Sequence, residues 1–345
     1  MTEETRKLID NAVPRLLAQA SAVISVNRMV SVSGKRHNII LNGDYAAADG
    51  SSSDIWDKDR SRSLEIVYYS AASEHAPLIC GFHSGGFLFG GAALNDTMWK
   101  QIAEELDINI ASIGYRKAPK FKWRQSLTDA FDSICYLKEH ADEFGFDQDD
   151  ISLLGASAGG TLAASCALLS SALKVSDEKI LKGLDKEHIR SLKPLEINKM
   201  ILLYPLLDMH TEPALKGPEW YGGISSYIMN EQHTSAQESM LALVSPSFAE
   251  GNVFEGLPDT ICFTAEYDAL KHEGNAFAEK IKRAGGNVYY KEIPGVSHCY
   301  FELGFRDRLL PFESEFIGPS GVKAFNEGRI REAALDTLRY LKEHK

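Results

Sequence analysis

The sequence predicts an α/β fold, a mostly parallel central sheet with helices on both faces. Three observations carry this. Short apolar, β-branched runs alternate along the chain with longer helical patterns, the arrangement from which parallel sheets are built. Gly155-Ala156-Ser157-Ala158-Gly159-Gly160 follows the apolar run Ile151–Leu154 and opens the small-residue run Thr161–Ser165, which reads as strand, tight turn and helix. The 345 residues are 44% hydrophobic and 25% charged, ordinary globular composition that permits one large domain with insertions, or two domains.

In chain order, strands are expected at Leu64–Tyr69, Pro77–Phe82, Ile108–Ile113, Ile151–Leu154, Met200–Tyr204, Thr260–Thr264 and Val288–Ile293. Helices are expected at Thr97–Leu106, Gln125–Glu139, Ser157–Leu173, Glu273–Ala284 and Glu327–Glu343. Three segments break the alternation. Residues 1–60 precede the sheet and hold a Ser/Asp-rich patch near Gly50–Asp54. Residues 206–256 are irregular and contain Trp220, Tyr221, Tyr227 and Met229. Residues 303–324 form a long excursion before the last helix. Active sites of such sheets gather at the carboxyl ends of the strands, and each of these segments is a candidate cover. The charged run Ser176–Lys193 reads as a solvated helical insertion. The amphipathic positions Leu8, Ile9, Val13, Leu16, Leu17, Ala20 and Ile24 are interrupted by Pro14 and are expected to pack on the protein itself rather than on a membrane.

The net charge of −11 leaves no electrostatic footprint for nucleic acid. Cys80, Cys135, Cys166, Cys262 and Cys299 are odd in number and lack C-x-x-C spacing, as reduced thiols of a cytoplasmic protein would be. The amino terminus lacks a basic segment followed by an apolar core. No run approaches the roughly 18 apolar residues of a membrane span, so stable membrane insertion is not expected.

The chemistry centres on Ser157. Its run spaces the glycines as G-x-x-x-G-G and does not fit the G-x-G-x-x-G of dinucleotide binding. A G-x-S-x-G turn between strand and helix is instead the nucleophile elbow of α/β-hydrolases. A serine hydroxyl is a poor nucleophile at neutral pH. It needs a base, an orienting group for that base, and N–H donors for the developing oxyanion. The strand Pro77–Phe82 runs into His83-Ser84-Gly85-Gly86-Phe87, where glycines let backbone approach a substrate. The N–H groups of Gly85, Gly86 and Ala158 are the candidate oxyanion hole, and His83 is read as a structural hydrogen-bonding residue. Asp268 follows the strand Thr260–Thr264 as the candidate acid, with Glu266 as the alternative, and His298 follows Val288–Ile293 as the candidate base. The order Ser157, Asp268, His298 is that of α/β-hydrolases.

Together these residues resemble the hormone-sensitive-lipase-like family of α/β-hydrolases, which includes many bacterial carboxylesterases. The likeness runs from about Leu64 to His298. Tyr115-Arg116-Lys117-Ala118-Pro119 is similar to the family's Y-R-x-A-P segment, followed by Leu127 and Asp129. Leu257-Pro258, the run Thr264–Leu270 and Glu273-Gly274 resemble its acid loop, and Gly295-Val296-Ser297-His298 its histidine loop. Ser84 stands where the family's H-G-G-G has its first glycine, and Ala156 where an Asp usually precedes the nucleophile. Glu302–Lys323 is longer than the family minimum.

The resemblance implies the α/β-hydrolase fold, with an eight-stranded sheet and a helical cap. The catalytic core is then 61–205 and 257–345, with 1–60 contributing to the cap and 206–256 forming the cap insertion. It implies hydrolysis of short- to medium-chain carboxylic esters by Ser157, Asp268 and His298, without cofactor or metal, and a homodimer would be unsurprising. Phe87, Leu88, Tyr115, Trp220, Tyr221 and Tyr300 are candidate substrate-binding residues, since bulky groups near the hole suit small acyl chains. The same triad serves arylformamidases, amidases and peptidases, and a hydrolase fold also serves as a ligand-binding receptor. The complete set Ser157, Asp268 and His298 argues against the last.

Overall fold

In the middle of the chain, apolar side chains point alternately to opposite faces of each strand, and both faces need cover. The computed structural model, which describes residues 31–46, 55–210, 240–306 and 328–345, shows how this is met. Eight strands form one sheet: β1 (Lys35–Ala46), β2 (Ile55–Tyr69), β3 (Leu78–Phe82), β4 (Asn109–Ile113), β5 (Ile151–Ala156), β6 (Lys199–Leu203), β7 (Asp259–Ala265) and β8 (Val288–Ile293). Their order is β1-β2-β4-β3-β5-β6-β7-β8. β2 is antiparallel to both β1 and β4, and all other pairs are parallel.

The period of two divides the core into layers. Leu78, Cys80, Phe82, Ala111, Ile113 and Leu153 pack on one face against α2 (Trp123–Glu139) and α3 (Ala158–Val175). Ile79, Ile110, Leu154 and Ile201 pack on the other against α1 (Asp96–Leu106) and α6 (Arg329–Glu343). α4 (Lys271–Arg283) follows β7, and the short α5 (Tyr300–Gly304) follows the histidine loop. α3 is apolar nearly all round, as a helix enclosed by its own protein must be. Among the described residues it is the one helix long and apolar enough to cross a membrane, and 83% of it is buried inside the fold.

Two expectations are corrected. Residues 1–60 are expected to contribute to the cap, yet Lys35–Ala46 is β1 and β2 begins at Ile55, so the expected core boundary at 61 falls inside a strand. The outer arm of β2, Trp56-Asp57-Lys58-Asp59-Arg60-Ser61-Arg62, is polar and mostly exposed. β1 carries a register shift between Asn42 and Asp44, so neither presents a continuous apolar run. The expected cap insertion, 206–256, starts and ends as core: Leu206, Leu207, Met209, Leu243, Val253 and Phe254 pack beneath the sheet with α3. Its centre, with Trp220 and Tyr221, lies outside the described residues, as do the amphipathic positions 8–24.

The charged run 176–193 forms two helical turns, capped by the side chains of Asp177 and Asp185. It is anchored as well as solvated. Ile180, Leu181 and Leu184 are buried, and His188 stacks on Trp56 at 3.8 Å and meets the Tyr45 hydroxyl at 2.9 Å.

Beneath the loop after β4, Arg62 bridges Asp129 at 2.7 Å and Asp132 at 2.6 Å, while Arg116 bridges Asp44 at 2.7 Å and Asp129 at 2.8 Å. This buried network ties β1, β2 and α2 to the segment Tyr115–Pro119.

Candidate active site

β5 ends at Ala156 and α3 begins at Ala158, so Ser157 alone makes the turn. Its φ of 54° and ψ of −118° lie where an L-residue is held at a cost of about 1–3 kcal/mol. The surroundings impose it: Ser157 N–H donates to the Leu203 carbonyl (3.0 Å), and its carbonyl accepts from Leu206 N–H (3.1 Å). The flanking glycines are required by close approach. A Cβ on Gly155 would lie 2.1 Å from the Gly159 oxygen, and one on Gly159 would lie 2.0 Å from the Phe82 oxygen.

Asp268 and His298 arrive from the loops after β7 and β8, at the same end of the sheet. His298 Nε2 lies 2.8 Å from Ser157 Oγ, and its Nδ1 lies 2.7 Å from Asp268 Oδ2. The neutral imidazole that satisfies both contacts carries its proton on Nδ1 and accepts from the serine at Nε2. Asp268 Oδ1 accepts from Leu270 N–H at 2.9 Å, which fixes the carboxylate plane. All three residues are 5% exposed. Burial pulls the His298 pKa down, but the charge and hydrogen bond of Asp268, joined by the charges of Glu302 and Glu273, outweigh it and leave the pKa above 6.5. Such a chain can take a proton from the serine hydroxyl and hold the resulting imidazolium.

Glu266, the alternative acid, has another task. Its Oε2 accepts from Gly295 N–H at 2.7 Å and shapes the histidine loop. Glu273 similarly accepts from Leu207 N–H (2.6 Å) and Asp208 N–H (2.8 Å), pinning the chain as it leaves β6.

The candidate oxyanion loop follows β3. Gly85 and Gly86 have φ of 123° and 60°, left-handed conformations that favour glycine. The Gly85 carbonyl accepts from Leu88 N–H (3.0 Å) and Phe89 N–H (2.9 Å), and a Cβ on Gly85 would lie 2.5 Å from the Phe89 oxygen. Ala158 N–H belongs to the first turn of α3, where no intrahelical acceptor exists. His83 is buried, its Nδ1 lies 2.6 Å from the Ser84 oxygen, and burial lowers its pKa to about 3. It is a neutral support for the loop.

The pocket expectations are revised in part. Phe87 and Leu88 are 2% and 5% exposed and pack in the core layer of α2 and α3. Tyr115 stacks on His83 at 4.2 Å and donates from its hydroxyl to the His83 carbonyl at 2.8 Å, so it braces the candidate oxyanion loop. Leu88 and Tyr115 border a cavity of about 620 Å³ that also touches Arg36, Glu65, Arg116 and Lys117, and neither Ser157 nor His298 lines it. Tyr300 is a core residue. It is buried against Tyr204 and its hydroxyl pairs with Thr337 of α6 at 2.9 Å, so its side chain turns toward the helix layer. Sequence reasoning missed Tyr204 and Glu302 as neighbours of His298. The available signal was an acid inside the apolar run Tyr300-Phe301-Glu302-Leu303, because a buried charge needs a reason. Among the described residues no group of three or more His, Cys, Asp or Glu is arranged to hold a metal ion.

With this geometry in place, the comparisons with known proteins are informative. Residues 79–302 match the α/β-hydrolase fold family. An arylesterase of Saccharolobus solfataricus is 27% identical over 73% of this chain and 77% of its own length. An ethyl acetate hydrolase of Pseudomonas putida is 26% identical over 64% of this chain and 65% of its own. The crystal structure of carboxyl esterase 2 from the fungus Tuber melanosporum superposes with a TM-score of 0.64, at 19% identity, covering 90% of this chain and 86% of that one. The protein therefore belongs to the α/β-hydrolase fold family, in its hormone-sensitive-lipase-like branch of carboxylic ester hydrolases.

Proposed function

We propose that the protein is a serine carboxylesterase that hydrolyses short- to medium-chain esters through Ser157, His298 and Asp268. The observation that carries this is the unbroken chain from Ser157 Oγ through His298 to Asp268, 2.8 Å and 2.7 Å long, at the end of the sheet where the glycine loop lies. His298 Nε2 takes the serine proton as Oγ bonds to the ester carbonyl carbon. The carbonyl electron pair moves to oxygen, facing the N–H groups of Gly85, Gly86 and Ala158. The carbon–alkoxy bond then breaks, and the alcohol leaves with the proton from His298. Water, deprotonated by His298, releases the acid and restores Ser157. Asp268 keeps the imidazole in the required tautomer and stabilises the imidazolium.

The chain-length range rests on the family resemblance and on the small ester named for the Pseudomonas relative. Initial rates on p-nitrophenyl acetate, butyrate, octanoate and dodecanoate test it, with Ser157→Ala alongside. The expected result is activity that peaks on short chains and falls by on the order of 10⁴–10⁶ in the variant. Folded wild-type protein that is inert on every ester would move the assignment to an amide or formamide substrate, or to a binding role.

A further inference from the structure

His298 has a second carboxylate beside it that acyl transfer as just described does not use. Glu302 lies in α5, four residues after His298, and is 2% exposed. Its Oε2 accepts a hydrogen bond from the Tyr204 hydroxyl, and its Oε1 is buried without a hydrogen-bond partner. Tyr204 follows β6, the strand between those that deliver Ser157 and Asp268. It is fully buried with a φ of 37°, and its N–H donates to the Phe263 carbonyl at 2.7 Å. Its ring meets the His298 imidazole edge to face, with centroids 5.1 Å apart. The tyrosine thus links the imidazole to Glu302.

A buried carboxylate with an unsatisfied oxygen is costly, and a tyrosine hydroxyl alone needs only a neutral acceptor. A cation forming beside it would offset that cost. The groups around His298 are Ser157 at the elbow, Tyr204 after β6, Asp268 after β7, Glu273 in α4, and Cys299, Tyr300 and Glu302 beside it in sequence. None of these described residues is basic. Arg329 of α6, whose charge reaches Tyr300, is engaged by the Pro294 carbonyl and by Glu332. Within this cluster of described residues, the group that can become a cation is the imidazole of His298.

We propose that Glu302 is a positioning residue for the esterase reaction: through Tyr204 it holds the His298 ring in place, and its charge stabilises the imidazolium formed when Ser157 gives up its proton. This rests on the reading of Ser157 and His298 as nucleophile and base. It accords with the direction in which Glu302 acts on His298, favouring the protonated ring.

The test is the pH dependence of kcat/KM for p-nitrophenyl acetate in wild type, Glu302→Gln, Tyr204→Phe and Ser157→Ala, with melting temperatures. Glu302→Gln is expected to move the acid limb to lower pH by roughly 0.5–1 unit and to lower the plateau about 3–10-fold, as that loss of imidazolium stabilisation would. Tyr204→Phe keeps the ring but takes the donor from the carboxylate, and is expected to shift the limb in the same direction. A limb that stays at the wild-type position in either folded variant overturns the proposal, whatever the melting temperature does. Ser157→Ala separates the two failures. If it retains esterase activity, the catalytic reading falls and this inference with it. If it is inactive while the limbs do not move, only the role of Glu302 falls.

Discussion

The Tyr115 hydroxyl donates to the carbonyl of His83 across 2.8 Å, so the loop after β4 braces the glycine loop that follows β3. Both partners are buried. Tyr115→Phe leaves the carbonyl without this donor, a loss of about 1–3 kcal/mol. It is expected to lower the melting temperature and to lower kcat more than it raises KM, because the loop loses its brace rather than a substrate contact. Thermal melts and ester kinetics of the variant check this. A fall in stability with unchanged kcat would separate Tyr115 from the oxyanion loop.

Asp268→Asn removes the charge that outweighs burial at His298 and offers Nδ1 a group that can present a donor. A drop of about 10⁴ in kcat is expected, the magnitude seen when the analogous Asp of a serine protease is replaced by Asn. Steady-state rates at neutral pH decide it. A decrease below tenfold would point to Glu266 or Glu302 as the orienting acid.

The pH profile has a definite sign. In the proposed mechanism the working form of His298 is neutral, and Asp268, Glu302 and Glu273 outweigh burial and raise its pKa from 6.5. Activity is therefore expected to be lost as pH falls through the raised pKa of His298. The acid limb of kcat/KM, which reports the free enzyme, is expected to have its midpoint above 6.5. A midpoint in the ordinary carboxylate range would assign the limb to another group.

Gly159→Ala places a Cβ 2.0 Å from the Phe82 backbone oxygen. Neither side can yield, since one is a sheet strand and the other the first turn of α3. The substitution is expected to cost at least about 1–3 kcal/mol, the penalty of an overfilled core. Chemical denaturation of the purified variant measures it, and a stability equal to wild type would mean the elbow relaxes more freely than its contacts suggest.

Arg62→Ala leaves Asp129 and Asp132 with a lost partner in a buried network, and the expected destabilisation is about 3–5 kcal/mol. Arg62 lies far from Ser157 in the sheet order, on β2 rather than β5. The activity of the fraction that remains folded is expected to stay near wild type.

These residues also show what was legible in the sequence. Ser157, Asp268 and His298 each lie in the loop or turn after an apolar run, so a strand-by-strand reading places all three at one end of a parallel sheet. Glu266 could not be separated from Asp268 by sequence position, because two residues in one loop differ only in which way the backbone turns them. β1 was invisible because Ile39 and Leu41 face the core while Ile40 is 58% exposed, and Gly43 interrupts the pattern. Tyr115 and Tyr300 read as pocket walls because aromatic residues near a site suggest substrate. Their hydroxyl partners, the His83 carbonyl and Thr337, come from distant parts of the chain and only the fold reveals them. Glu302 was missed for the same reason.

The hydrogen bond between Ser157 and His298 joins residues 141 positions apart, and β8 pairs with β7, which in turn pairs with β6. Contacts this distant in sequence form late, because chain closure costs entropy before any contact repays it. During synthesis Ser157 is therefore made, and α3 can coil, well before its hydrogen-bond partner His298 exists. On the proposed mechanism, the nascent chain carries its nucleophile in a dormant state, and hydrolysis switches on only when the carboxyl-terminal strands complete the sheet.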